Sequence, residues 1–402
     1  MNSRSCRWLI VSALLITASG GWAQQSAPPA SEQKPETFTT SHLCGTPQCS
    51  LPPAYDQKSV ATLKQQASSG KAAAQCGLGL LYHNGWGILR DYTQAVSWWR
   101  KAAEQGSASA QYFLGLMYAT GTGVPKDSTQ AATWWRKGAE QGCAVAQACL
   151  GDLYKKGWGV PQDYTRAALW YREASDQGDV DAQYNLGTLY LYGLGVPQDY
   201  TQAATWFRKA AEQGDADAQY NLGVLYDHGH GMAKDYAQAA LWYGKAAEQG
   251  DAHAEFELGL LYDDGLGVPQ DYAKAALWYG KAAEQGEASA QCGLGVLYEL
   301  GLGVPQDYTQ AMFWLRKAAE QGAVGCQVSL GDLYKKGQHV PQDYAEAYFW
   351  FDLAAAGERD PSQRGQVEEL RDEAASHLTP ADLARVQERA RKWFEAHRAK
   401  PQ

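Results

Sequence analysis

The 402-residue chain has no surplus of basic residues: 35 Lys and Arg stand against 44 Asp and Glu, a formal net charge of −9. Phosphate backbones are bound by clustered Lys and Arg, so no nucleic-acid partner is expected. The same charge disfavours adhesion to an anionic membrane. Long apolar runs are missing too. Only Trp8 to Ala18 is strongly apolar, and it is too short to cross a bilayer, so no membrane span is expected in the mature chain. Cys-x-x-Cys, His-Glu-x-x-His, calcium-loop and dinucleotide signatures are absent, so no cofactor is expected.

The start of the chain reads as a secretory signal peptide. Arg4 and Arg7 precede the apolar run, and small residues at Gly21 and Ala23 suit cleavage after Ala23, giving a periplasmic or secreted protein. Cys6 lies before the apolar core, so a lipoprotein cleavage site is absent. Residues 24–56 are rich in Pro, Ser, Thr and Gln and read as a flexible leader. Of the cysteines left after cleavage, Cys44 and Cys49 flank a turn-rich segment and are the expected local disulfide. Cys76, Cys149, Cys292 and Cys326 read as small buried residues on helices.

What the chain does contain is a period. Trp98, Trp134, Trp170, Trp206, Trp242, Trp278, Trp314 and Trp350 follow one another at steps of 36 residues, and a glycine set from Gly79 to Gly331 keeps the same step. Such a period marks a solenoid, whose units bury their apolar faces by stacking on their neighbours. Residues 215–250 show the unit. Ala218, Leu222, Leu225 and Tyr226 share one face of a first helix, and Ala239, Trp242, Tyr243, Ala246 and Ala247 share one face of a second. Asp235 followed by Gln238, a spacing repeated from Asp91/Gln94 to Asp307/Gln310, predicts a capped start for the second helix. Gly250 and its equivalents predict its end. The mid-helix glycine costs about 1 kcal/mol against alanine, so its recurrence predicts a close helix contact, with the repeating tryptophan ring against the bare backbone. Ser59 to Ser69 reads as a lone second helix covering the first unit, and Gln363 to His377 and Pro380 to Ala399 as capping helices at the other end. The domain reading is therefore signal peptide 1–23, leader 24–56, solenoid 57–357 and C-terminal cap 358–402. The fold class is all-α: an α/α superhelical solenoid of eight 36-residue helix-turn-helix repeats, with an N-terminal half-repeat.

The unit Ala-x-x-x-Leu-Gly-x-Leu-Tyr, Gly-x-Gly-Val-Pro-x-Asp-Tyr, Ala-x-x-Trp-x-x-x-Ala-Ala-x-x-Gly resembles the Sel1-like repeat family, a relative of the tetratricopeptide repeat, over roughly residues 58–357. Ser128 replaces the Tyr after Asp127, and Gln338-His339 replaces the Gly-bearing turn of the last unit. The resemblance implies an adaptor for protein complexes. Secreted bacterial members are linked to host-protein binding, or to penicillin binding and weak β-lactamase activity.

A catalytic alternative, a cell-wall-active hydrolase of the penicillin-binding or β-lactamase type, finds two Ser-x-x-Lys matches, Ser31 to Lys34 and Ser68 to Lys71. No Ser-Asp-Asn or Lys-Thr-Gly accompanies them, and the expectation is a non-enzyme. His228-Gly229-His230 beside Asp227 offers three potential metal ligands, but the equivalent turns hold unrelated residues, so these read as surface histidines and no metal site is assigned. The binding surface is expected on the first helices, which line the concave side of such superhelices. Phe113, Lys156, Asn185, Tyr192, Asn221, His228, Glu257 and Asp264 form the candidate partner-binding set. This mixed amide, aromatic and charged lining suits a protein or peptide bound along a groove by a monomer. Lys155-Lys156 and Lys335-Lys336, with Asp227, Asp263, Asp264 and Glu299 between them in sequence, are candidates for setting partner register.

Overall fold

A computed structural model describes residues 49, 51, 56–337 and 340–398. The signal-peptide region, Ser31 to Lys34, Cys44 and Gln338-His339 lie outside the described residues. All the secondary structure described is helical, and no described helix is long and apolar enough to cross a membrane. The chain divides into two compact units, one ending at Lys234 and the other beginning at Asp235.

The N-terminal unit contains α1 (Gln57–Ser68), α2 (Ala72–Asn84), α3 (Tyr92–Glu104), α4 (Ala108–Thr120), α5 (Ser128–Glu140), α6 (Ala144–Lys156), α7 (Tyr164–Asp176), α8 (Val180–Tyr192), α9 (Tyr200–Glu212) and α10 (Ala216–His228). The C-terminal unit contains α11 (Tyr236–Glu248), α12 (Ala252–Asp264), α13 (Tyr272–Glu284), α14 (Ala288–Leu300), α15 (Tyr308–Glu320), α16 (Val324–Lys336), α17 (Tyr344–Gly357), α18 (Pro361–Ser376) and α19 (Pro380–Arg398). Within each unit a repeat pairs an even-numbered first helix with the odd-numbered second helix that follows it, from α2 and α3 to α8 and α9 in the N-terminal unit and from α12 and α13 to α16 and α17 in the C-terminal unit. The boundaries obey the chemistry read from the sequence. Asp91 accepts a hydrogen bond from the Gln94 amide at 3.0 Å, and Asp199 and Asp307 accept from Gln202 and Gln310 in the same way.

The mid-helix glycines do mark close contacts, but not with the periodic tryptophans. A Cβ on Gly79 would lie 2.5 Å from the Trp99 ring, on Gly115 2.5 Å from Trp135, on Gly151 2.7 Å from Tyr171, on Gly187 2.8 Å from Phe207, on Gly259 2.7 Å from Tyr279 and on Gly331 2.5 Å from Phe351. The packed side chain is thus the residue after the repeating tryptophan. One residue turns a helix by about 100°, which is enough to exchange the buried ring for its neighbour. Most of the periodic tryptophans instead carry a lysine one turn on over the ring: Lys209 stands 3.8 Å from the Trp206 ring and Lys281 4.0 Å from Trp278.

A second set of glycines seats one repeat on the previous one. Gly195, at φ +69°, would place a Cβ 2.2 Å from the backbone of Tyr164, and Gly303, at φ +68°, would place one 2.2 Å from that of Tyr272. Both turns therefore need the missing side chain as well as the left-handed backbone.

A buried glutamine ladder ties successive repeats together. Gln75, Gln111, Gln147 and Gln183 each donate Nε2 to the carbonyl eight residues earlier at 3.1–3.2 Å. Their Oε1 atoms accept from Gln105, Gln141, Gln177 and Gln213 of the following helices at 2.7–2.8 Å. A fully satisfied buried amide specifies register, because any slip leaves polar groups without partners. Gln291 and Gln327 continue the pattern in the C-terminal unit, where the corresponding position of α12 is Glu255.

The cysteine expectations need correction. Cys49 is bonded to Cys76 and Cys292 to Cys326, so Cys76, Cys292 and Cys326, expected as unpaired, are cross-linked, and Cys49 has a partner other than the expected Cys44. Cys143 is disulfide-bonded as well, and Cys149 is free. Cys292 and Cys326 sit on α14 and α16, the first helices of neighbouring repeats, which the fold lays side by side.

Candidate interaction surface

In the N-terminal unit, the last residues of α6, α8 and α10 are Lys156, Tyr192 and His228, in one repeat register and all exposed. Lys156 Nζ stands 4.6 Å from the Trp158 ring, which is itself 53 % exposed, and Tyr192 is 46 % exposed. His228 stacks on His230 with ring centroids 5.6 Å apart, and His230 stacks on Tyr200 at 4.9 Å. Among the described residues no group of three His, Cys, Asp or Glu is placed to hold a metal ion.

Two turns inward, the amides of Asn185 and Asn221 are half-buried and already held. Asn185 Nδ2 donates to the Asp181 carbonyl at 2.9 Å and its Oδ1 accepts from Lys155 Nζ at 2.8 Å, while Asn221 Nδ2 donates to the Asp217 carbonyl at 2.8 Å. Burial pushes the Lys155 ammonium down and raises the Asp179 carboxyl to about 6, although the Ala182 amide it accepts from works against the rise. The Tyr171 hydroxyl donates to Asp152 at 2.5 Å, with burial the first cause of its raised pKa and the Asp152 charge the second.

Phe113 does not belong to this surface. It is fully buried, stacked on Trp99 with ring centroids 5.0 Å apart, whereas the equivalent positions in the other repeats hold smaller or polar residues such as Cys149 and Asn185. In the C-terminal unit Glu257 is half-buried and Asp264 exposed. Lys335 and Lys336 are taken up locally: Lys335 pairs with Glu373 of α18 at 2.9 Å, and Lys336 with Asp332 at 3.2 Å. The second Ser-x-x-Lys match lies on the surface, with Ser68 ending α1 and both Ser68 and Lys71 exposed. The sequence reading missed the glutamine ladder, although its signal, a Gln at steps of 36 on an otherwise apolar face, was present.

Paired helices stacked with a fixed glycine-to-ring contact define an α/α repeat protein. The Sel1 repeat model matches residues 72–107, 108–143, 144–179, 180–215, 216–251, 252–287, 288–322, 325–358 and 376–396, and the chain belongs to the Sel1 repeat family. The last match falls within the C-terminal helices, one more than the eight repeats counted from the tryptophans. The chain is similar to a protective antigen of uropathogenic Escherichia coli strains displaying an SLR fold, at 35 % identity, over 86 % of this chain and 83 % of that one, with a TM-score of 0.60. It is also similar to a Sel1 repeat protein of Oxalobacter formigenes, at 34 % identity, over 62 % of this chain and 98 % of that one, with a TM-score of 0.52. Comparison with curated proteins gives no match. Sel1 repeats generally serve as protein-interaction scaffolds and are typically not enzymes.

Proposed function

We propose that this chain is a secreted or periplasmic adaptor that works as a monomer and binds a protein or peptide segment along its first helices. The observation that carries the reading is the register of Lys156, Tyr192 and His228 beside amides that are fixed before any partner arrives. Side chains already held in place lose less freedom on binding. In the C-terminal unit, taken by itself, Glu257 and Asp264 on α12 are the candidate contacts. Five cross-linked cysteines among the described residues fit an oxidising compartment, and a similar protein that is a protective antigen fits export from the cytoplasm.

Affinity capture from cell-envelope and host extracts with the mature chain, repeated with Tyr192→Ala and Asn221→Ala, tests the reading. A captured protein lost with Tyr192→Ala, at a cost of about 2 kcal/mol if the ring is an anchor, supports it. Equal capture by both variants at unchanged stability rejects this surface. Nitrocefin turnover by the purified chain would favour the hydrolase instead.

A further inference from the structure

The residue immediately before each repeating tryptophan points outward from the second helix. In the N-terminal unit it is Ser97, Thr133, Leu169 and Thr205; in the C-terminal unit it is Leu241, Leu277, Phe313 and Phe349. The change from mostly polar to wholly apolar is matched by exposure: Leu241 is 49 % exposed, Leu277 56 % and Phe313 48 %, but Phe349 only 3 %. What covers Phe349 is a helix. Arg389 of α19 lies 3.9 Å over its ring and forms an ion pair with Glu346, while Gln387 donates to the Tyr348 hydroxyl at 3.2 Å and Val386 and Ala390 are buried nearby.

We propose that the outer face of α11, α13 and α15 is a second docking site, and that its occupant is an amphipathic α-helix of a partner protein with acidic residues flanking an apolar stripe. Three observations on the C-terminal unit converge on this. The same register on α17 already receives a helix, so the uncovered row continues an interface the fold itself builds. Within one helical turn of the three exposed apolar residues every charged group is basic: Lys245, Lys274, Lys281, Arg316 and Lys317, with Lys274 also pairing with Asp271. In the register of Glu346, which an arginine answers on α17, α13 carries Lys274 and α11 and α15 carry Gln238 and Gln310; with Lys245, Lys281, Arg316 and Lys317 alongside, the fitting complement is acidic. Finally, Gly244 and Gly280 stand mid-helix beside Leu241 and Leu277, where other repeats carry arginines that donate to the next repeat's tyrosine, as Arg208 does to Tyr226 at 2.5 Å. A Cβ on Gly280 would meet nothing within 4 Å, so no internal contact requires the glycine. With Ala237 and Ala273 on the other side, the glycines leave shallow ground on which a second helix can come close. A second copy of the chain would set lysines against lysines.

The test uses a labelled peptide of residues 380–398 carrying Arg385→Glu, Arg389→Glu, Arg391→Glu and Lys392→Glu, an acidic form of the helix that covers Phe349, titrated by fluorescence anisotropy into the mature chain. Saturable binding is expected, weakened about tenfold or more by Leu277→Thr with Phe313→Thr and untouched by Leu169→Thr. Gly280→Arg should weaken binding while raising the melting temperature, which separates an occupied surface from a damaged fold. The unaltered 380–398 peptide should bind less tightly. Absence of saturable binding of the acidic peptide, or equal binding by the exposed-row variants, overturns the proposal. So does row-dependent pelleting with phosphatidylglycerol vesicles in the absence of peptide binding, which would assign the face to lipid.

Discussion

Glu255 is where the glutamine ladder is chemically mismatched, and replacing it should stabilise the protein in a pH-dependent way. At the equivalent positions Gln291 and Gln327 donate to a main-chain carbonyl at 3.1 and 3.0 Å, which an ionised carboxylate cannot do. Glu255 is only 3 % exposed and keeps one ladder contact, accepting from Gln285 Nε2 at 2.8 Å. Burial is the first cause of its raised pKa; the Gln285 hydrogen bond and Lys281 oppose the rise, and Asp251 and Glu284 add to it. The native state therefore holds a proton more tightly than the unfolded chain. Its contribution is fully present below the unfolded value of 4.5 and lost as pH rises through the folded one. Glu255→Gln supplies the missing donor, about 1 kcal/mol for one net hydrogen bond, and removes the cost of a buried charge, about 1–3 kcal/mol, so a gain of about 2 kcal/mol is expected at neutral pH. Urea melts followed by circular dichroism should show that gain near neutral pH and a smaller one near pH 4, where the wild-type carboxyl is protonated. A variant less stable than wild type at neutral pH, or one whose advantage is the same at both pH values, would refute the reasoning.

Gly259→Ala should destabilise by about 1–3 kcal/mol through collision with Tyr279, whereas Gly244→Ala, whose Cβ meets only Leu258 at 3.9 Å, should stabilise by about 0.5–1 kcal/mol; thermal melts of the pair compare the two kinds of helical glycine directly. Asp179, held at about 6 by burial, contributes stability that is full below 3.8 and lost as pH rises through about 6, so Asp179→Asn, which keeps a cap acceptor, should flatten the stability curve across that window. Cys292→Ser with Cys326→Ser opens a cross-link spanning 34 residues and should cost about 3 kcal/mol in chemical denaturation; an unchanged midpoint would show that the repeats there are held by packing alone.

The helix pairs, their caps and the terminal helices were legible because each rests on local chemistry: an aspartate before a helix, a glycine after it, an apolar face at helical spacing. The tryptophan assignment failed because two adjacent positions share the 36-residue step. The uniform Trp set is the more visible, while the set that fills the glycine notch, running from Trp99 through Tyr171 and Phe207 to Leu315, is uniform only in bulk. The Cys292–Cys326 pair was hidden for a different reason. Its separation of 34 falls two short of the repeat, so only the lateral alignment of neighbouring first helices brings the sulfurs together. Of the candidate surface, the exposure of the helix ends could be read from the sequence, since Lys156, Tyr192 and His228 vary from repeat to repeat where the apolar framework does not. Phe113 could not, because its burial depends on Trp99 from another helix.

The ladder has an end as well as a beginning. After Gln105 and its counterparts up to Gln321, the next position in register is Gly357, and the Oε1 atom of Gln327 is buried with no hydrogen-bond partner. A side chain on Gly357 would press on Val324 at 2.9 Å, so the gap cannot simply be filled. Length in this molecule is therefore adjustable from within and closed at its tail. Unequal recombination that duplicates or drops a whole unit inside either compact half preserves the 36-residue register in which one ladder side chain meets the next, so the population of descendants can drift in reach without passing through a broken intermediate. Extension beyond the last unit demands coordinated change at Gly357 and Val324, so lineages of this protein should differ in how many units they carry while keeping one and the same final turn.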